Sequence, residues 1–516
     1  MTDRWISKPI SCQGGLVLNL DGLTQGTTLS GTARILQNFE PSLSGGYRRL
    51  TGYAKYDSST VNSGNSNPIQ AVMPYADGVL AVRKTTAGTD NAVYFSSGSG
   101  WTRVNTALRG GTPSKARFIV YSITQPVAIL TDGVNYAWKW DGTTETILNN
   151  PGAPTNPKYA ALFRNRLALS GYGDGSKLTL SEPNDDEHFN GGSGAIEINV
   201  GDTVTGLGLF REQLIIFCKN SIKKLTGTTS ADFEIVNVSQ QIGCISHDSI
   251  QEIGGDLVYL ALDGFRSYAA TERIDDVELG LVSQSIQPAV EILINKQFDE
   301  NAFSSCPIRI KNQYRIFVYD SSLADTDSVG LLARFQDTPV TPHGQFEWAT
   351  LKGIPAYCAG SRYSTTQEIA VIGHASNGYV YRLESGNTFD THNIVAVYRT
   401  PDLTFDDATL RKVFFKLDIF TQTEGDFEAS VNLLLDREGT SVIQPDQIPL
   451  AQTGAAPVYG TAVYGTDVYG QFIFPQFKKN LIGSGFFGAF QFISTDNSAP
   501  FRIDSFIVQF APKGRR

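Results

Sequence analysis

Gln70-Ala71-Val72-Met73-Pro74-Tyr75-Ala76-Asp77-Gly78-Val79-Leu80-Ala81-Val82-Arg83-Lys84 is the stretch that decides the fold. Two apolar runs, Gln70 to Tyr75 and Val79 to Lys84, flank Ala76-Asp77-Gly78, and an Asp-Gly step between such runs supplies the positive φ of a tight hairpin turn. The same shape recurs down the chain. Thr124-Gln125, Arg164-Asn165, Arg211-Glu212, Gly254-Gly255 and Lys311-Asn312 each sit between two short apolar runs, and a weaker pair of runs flanks a polar loop around Gln367. One turn residue from each hairpin gives positions 77, 125, 165, 212, 255, 312 and 367. A recurrence of roughly 40 to 57 residues, in units made only of strands, has the period of propeller blades.

Further short strands follow most hairpins, as in Ala92 to Ser96 with Trp101 to Val104, or Tyr136 to Trp140 with Thr144 to Leu148. Four strands per unit is what a blade needs. The expected fold is therefore all-β, a six- or seven-bladed β-propeller over 68–389. From residue 390 the runs lengthen: Lys412 to Thr421, Phe427 to Leu435, and Phe501 to Phe510, which alternates through Ile503, Phe506, Val508 and Phe510. This predicts a β-sandwich-like domain over 390–516. Within it stand three Val-Tyr-Gly units carrying Tyr459, Tyr464 and Tyr469 at a spacing of five. That spacing suits neither a helix face nor a strand face, so it predicts an extended loop whose tyrosines pack on this domain or on a neighbour. The segment 1–67 is expected to connect, and one of its strands could close the ring by completing the last blade.

Composition narrows the functional classes. The chain has 516 residues, 50 Gly and 22 Pro, 41% apolar and 18% charged, which describes an ordered, turn-rich protein with a large core. A formal charge of −9 has the wrong sign for gripping a phosphate backbone. Five scattered Cys without a CxxC pair suit a reducing compartment, and the amino terminus reads as lacking a signal peptide. No apolar run approaches membrane-spanning length, so no membrane insertion is expected.

Candidate chemistry is sparse. Ser246-His247-Asp248 has the letters of a hydrolase triad, but neighbours on a strand point to opposite faces and cannot relay a proton in series. His188, His343, His374 and His392 lie too far apart for a metal spacing, and no phosphate-binding glycine loop occurs, so neither metal nor cofactor is expected. Asp185-Asp186-Glu187 and Asp275-Asp276 read as solvated acidic turns. A sugar-cleaving propeller would carry Asp-box turns, and Ser97-Gly98-Ser99-Gly100-Trp101 lacks the Asp. Trp138 and Trp140 face one side and are expected in a core between blades. The dense positive clusters are Tyr47-Arg48-Arg49 and the terminal Lys513-Gly514-Arg515-Arg516.

The order of segments resembles the tail accessory, stabilisation or nozzle proteins of short-tailed bacteriophages. The stretches that carry the resemblance are Asn38-Phe39-Glu40, Gly46-Tyr47-Arg48-Arg49-Leu50-Thr51-Gly52-Tyr53, Ile242 to Ile250, and Val258 to Tyr268, followed by the sheet domain with its Tyr-Gly repeat. The resemblance implies a non-enzymatic virion protein, made and assembled in the host cytoplasm, in a six-fold ring below portal and adaptor. Double-stranded DNA would then be passing cargo rather than a bound ligand, which an acidic protein tolerates better than a basic one. Arg48, Arg49, Tyr459, Tyr464 and Tyr469 are the expected interface residues. The competing expectation is a propeller-type glycan-cleaving or glycan-binding tail protein.

Overall fold

The computed structural model describes residues 5–64, 67–111, 115–269, 280–296, 299–336, 346–364, 367–439, 442–452 and 476–513. All seven hairpins read from the sequence form. Four head four-stranded antiparallel sheets of their own, opened by Ile69–Tyr75, Arg117–Ser122, Tyr159–Phe163 and Val204–Phe210. A fifth heads the three-stranded sheet Gln251–Ile253, Asp256–Ala261, Gly264–Ser267. The last, Ala356–Tyr363 with Glu368–His374, continues through Val380–Leu383. These are six propeller sheets.

The seventh hairpin, Phe303–Ile308 with Gln313–Val318, also stands in the ring, its first strand packed between Gln251–Ile253 and Ala356–Tyr363. Its sheet does not end at the fourth strand, Phe346–Lys352. It runs on through Ile35–Gln37, Ala396–Arg399, Gly488–Ser494 and Phe427–Leu435 to Ile448–Gln452, nine strands in all. Six and seven are thus both meaningful: six sheets belong to the propeller alone, and a seventh is shared. The ring closes where Ala356–Tyr363 meets Ile69–Tyr75, with Gly360 so close that a Cβ there would lie 2.6 Å from the Val72 carbonyl.

Local chemistry explains the turns. Arg164-Asn165, Arg211-Glu212 and Gly254-Gly255 all have positive φ at both central residues, the twist that two-residue hairpins demand. In the hairpin quoted first, the register Tyr75↔Gly78 makes Ala76-Asp77 the turn, with the positive φ at Ala76. Gly78 already belongs to the strand and serves packing, since a Cβ there would collide with the Phe95 ring. Trp138 and Trp140 lie in the core between the first two blades, Trp140 against Tyr75 and Phe95.

The amino-terminal segment divides between the two domains. Tyr53–Lys55 pairs antiparallel with Val380–Leu383 and supplies the fourth strand of the last blade, as a closing strand should. Ile6–Ser11 and Tyr47–Arg49 instead pair with the carboxy-terminal strand Phe501–Lys513, and Phe39–Pro41 pairs with Tyr47–Arg49. With Arg411–Thr423 and Gln476–Asn480 they form the second sheet of the sandwich. The two sheets meet through aromatic rings: Phe490 and Phe492 against Phe506, and Phe427 stacked on Phe501 at 4.4 Å between centroids. The sandwich therefore extends beyond 390–516 and draws strands from both ends of the chain. Among the described residues two α-helices escaped the pattern, Gly22–Thr28 in the amino-terminal segment and Gln287–Lys296, which falls in the longest interval between hairpin turns.

Candidate functional site: the propeller axis and the inter-domain cleft

Arg117 opens the innermost strand of the second blade, Arg117–Ser122, and Lys115 stands two residues before it. Period-two alternation puts both on one face, towards the axis. Lys115, 2% exposed, donates from Nζ to the carbonyls of Asn301 (2.9 Å) and Phe303 (2.6 Å) across the ring. Arg117 grips Asp248 with Nε and Nη2 at 2.7–3.1 Å, and the Lys115 ammonium lies 3.7 Å from the same carboxylate. Burial works to raise the Asp248 carboxyl, but Arg117 and Lys115 prevail and hold it at about 2. Burial pulls the Lys115 ammonium down against the attraction of Asp248. A cavity of about 110 Å³ remains beside them, lined also by Gln251, Ser304, Ser305 and Cys358.

Ser246-His247-Asp248 lies at this place, not on a strand but entering a 3-10 turn, His247–Ser249. The Ser246 hydroxyl donates to the Glu300 carbonyl at 2.6 Å, and His247 Nδ1 accepts from the Leu207 amide at 3.4 Å. Burial pushes His247 down to about 4, so the ring is neutral at pH 7. Each member faces a different partner, and no serine–histidine–aspartate relay is built.

The expected interface arginines are internal. Arg49 is 0% exposed and donates to the carbonyls of Asp496 and Ser498, both at 2.5 Å, pinning the turn before Phe501–Lys513. Arg48 pairs with Glu40 (2.8 Å) and Glu424 (2.6 Å), with its side chain 16% exposed. An Arg-Arg pair on a short strand sends one side chain to each face, and here both faces are covered. Within the chain, therefore, both expected interface arginines have internal partners. Tyr459, Tyr464 and Tyr469, and Asp275-Asp276, lie outside the described residues. Asp186 and Glu187 are not free acids, since Lys139 pairs with both and Tyr121 donates to Asp186.

Arg48 belongs to a buried network that joins the domains. Glu40, on the sandwich strand, accepts from Lys311 (2.7 Å), Arg315 (3.2 Å) and Gln313 (3.0 Å) of the shared blade. Lys311 and Arg315 also pair with Glu384 at the end of the last blade. Burial opposes the charge on Glu40, but the surrounding cations overcome it and hold the carboxyl at about 2.

A larger cleft of about 490 Å³ opens at the junction of propeller and sandwich. His374 forms part of its wall. Its Nδ1 accepts from the amides of Ser376 (3.0 Å) and Asn377 (3.1 Å), leaving Nε2 to face Asp325 at 3.5 Å, and burial pushes the ring down to about 4. Tyr381 donates to Asp390 at 3.2 Å and accepts from Asn377 at 2.8 Å. The cleft thus offers oriented carboxylates, a neutral imidazole and aromatic edges, a set that suits hydroxyl or ammonium groups better than anions. Among the described residues no group of three or more His, Cys, Asp or Glu is placed to hold a metal ion. The five thiols are all free and buried.

Sequence reasoning missed Lys115 and Arg117, although the signal was present: two cations two apart at the head of the apolar strand Phe118-Ile119-Val120-Tyr121 must share a face. What it could not supply was their partner Asp248, which comes from a different blade.

No family model matches the chain, and no curated protein matches it. Among solved structures it is similar to PorZ, an essential surface component of the type-IX secretion system of Porphyromonas gingivalis, at 9% identity and a TM-score of 0.39, over 77% of this chain and 56% of that one. It is also similar to the extracellular domain of a putative one-component system, BT4673, from B. thetaiotaomicron, at 8% identity and a TM-score of 0.37, over 64% of this chain and 40% of that one. A third is BBS1N in complex with ARL6DN, at 8% identity and a TM-score of 0.36, over 65% of this chain and 97% of that one. The chain thus spans just over half the length of the PorZ structure.

Proposed function

We propose that this chain is a structural subunit of a short-tailed bacteriophage tail, one member of a six-fold nozzle ring below the portal and adaptor, acting through shape and interfaces. The observation that carries the reading is the bolting of the propeller to the sandwich by one nine-stranded sheet and a buried ion network, which makes the two domains a single stiff body. A stiff body suits a ring that must hold its bore while DNA passes. The bore in this reading lies between subunits, because the propeller's own axis is crossed by Lys115, Arg117 and Asp248. The acidic balance and the resemblance of segment order support the same conclusion.

The test is imaging and sizing of the purified protein mixed with a portal–adaptor assembly. A ring of about six copies docked on the adaptor is the expected result. A strictly monomeric protein that neither joins the assembly nor occurs in particles overturns it. A second reading, a glycan-binding tail protein, is favoured by the inter-domain cleft with Asp325, Asp390 and Tyr381 in its wall. Saturable binding of host polysaccharide, lost on Asp325→Ala with folding unchanged, would favour it over the nozzle.

A further inference from the structure

The propeller axis carries a charge imbalance. The groups facing the small cavity are Lys115 and Arg117 from the second blade, His247 and Asp248 from the turn before the fifth, and Cys358 from the last. Glu300, on the 3-10 turn beside them, faces Lys158 at 3.6 Å on the rim. His247 accepts from the Leu207 amide and is neutral; Cys358 donates its S–H to the Ile69 carbonyl at 3.2 Å and is a thiol. Two cations therefore share one carboxylate. Burying an uncompensated charge costs several kcal/mol or forces the group to discharge. Discharge of Lys115 would forfeit its attraction to the Asp248 carboxylate, 3.7 Å away, which opposes the pull of burial.

A second observation is independent of charge. Ser304, 2% exposed, lines the same cavity, and its Oγ has no hydrogen-bond partner within the protein. A buried hydroxyl left unpaired costs roughly 1–3 kcal/mol, so native structures rarely leave one without a partner. The cavity, at about 110 Å³, exceeds the liquid share of one water, about 30 Å³, and is far smaller than a drug-sized site.

We propose that the axis is a binding site for a small inorganic anion, held by Lys115, Arg117 and the Ser304 hydroxyl. The anion balances the second cation and ties together blades that the chain connects only in series. Chloride and a single tetrahedral oxyanion both have the right charge and size; Asp248 in the wall disfavours multiply charged or larger anions. Anion binding at the axis is independent of whether the chain forms a nozzle.

The experiment uses the full chain in dilute buffer at constant ionic strength, with sodium gluconate exchanged stepwise for sodium chloride or monobasic phosphate. Thermal unfolding should shift upward by a few degrees in a saturable manner, since a ligand that binds only the native state stabilises it by RT ln(1 + [L]/Kd). Chloride NMR lines should broaden with the wild-type protein, and phosphate should reverse the broadening if it shares the site. Ser304→Ala should weaken the saturable shift, while Lys219→Met, at an exposed position, should keep it. Ser304→Asp places a carboxylate where the anion sits and should raise the midpoint in gluconate while abolishing the chloride response. Lys115→Met should lose both signals, and if it fails to fold the two Ser304 variants still decide. Absence of a saturable response in the wild type, or an undiminished response in both Ser304 variants, overturns the proposal.

Discussion

Arg315 Nη2 lies 3.2 Å from Glu40 Oε2, with the two side chains 1% and 2% exposed, and this contact joins a propeller strand to a sandwich strand. The pair does not stand alone, since Arg48, Lys311 and Gln313 share the same carboxylate. Removing one member of such a buried set leaves charges without partners. Glu40→Ala is expected to cost about 3–5 kcal/mol, read as a lowered denaturation midpoint. A change below about 1 kcal/mol, the range of ordinary surface substitutions, would show that the network is dispensable.

Acid sensitivity follows from the same group. Glu40 and Asp248 have folded values of about 2, below the ordinary values of 4.5 and 3.8. A depressed carboxyl contributes stability above its unfolded value and loses it as pH falls through the folded one. The protein should therefore lose stability between about pH 4.5 and 2, and Glu40→Gln should show a flatter profile over that window. Unfolding midpoints measured at half-unit pH steps check this.

His247 and His374 act at higher pH. Both are pushed from 6.5 down to about 4 by burial, so the unfolded chain binds protons that the folded chain does not. Their contribution is complete above pH 6.5 and declines as pH falls towards 4. Proton NMR titration of the imidazole signals should show two of the five histidines silent above about pH 5.

Arg49→Met should unfold or strongly destabilise the sandwich rather than disturb assembly alone, because the guanidinium holds the Asp496 and Ser498 carbonyls inside the protein. A loss of about 2 kcal/mol or more is expected for the carbonyls left unpaired. Normal stability with failed assembly would return Arg49 to an interface.

Gly52 tests ring closure. A Cβ there would run into the Thr388 carbonyl, beside the closing strand Tyr53–Lys55. Gly52→Ala should loosen that strand selectively, seen as faster amide exchange at Ala54 and Arg382 with the first four blades unchanged.

The propeller was legible because its signal is local: alternation and turn chemistry both fall within a single hairpin. The sandwich was half legible, since its long carboxy-terminal strands alternate clearly while Ile6–Ser11 and Tyr47–Arg49 are too short to announce a partner at the opposite end of the chain. The charged residues were the least legible. Arg48 and Arg49 look like a surface patch in sequence, and only the position of Glu40, Glu424 and Asp496 reveals them as internal. The Ser-His-Asp string showed the opposite error of appearance, for Asp248 matters through Arg117 and Lys115 rather than through its neighbours.

The placement of strands from both chain ends in the same sheets has a consequence for biosynthesis. Tyr53–Lys55 must wait for Val380–Leu383 to be made, and Ile6–Ser11 must wait for Phe501–Lys513. At about 5–20 residues per second, the nascent chain carries unpaired strand edges for tens of seconds before either domain can be completed. Neither domain can be completed until late in synthesis, and folding is slow because the decisive contacts are among the most distant in the chain.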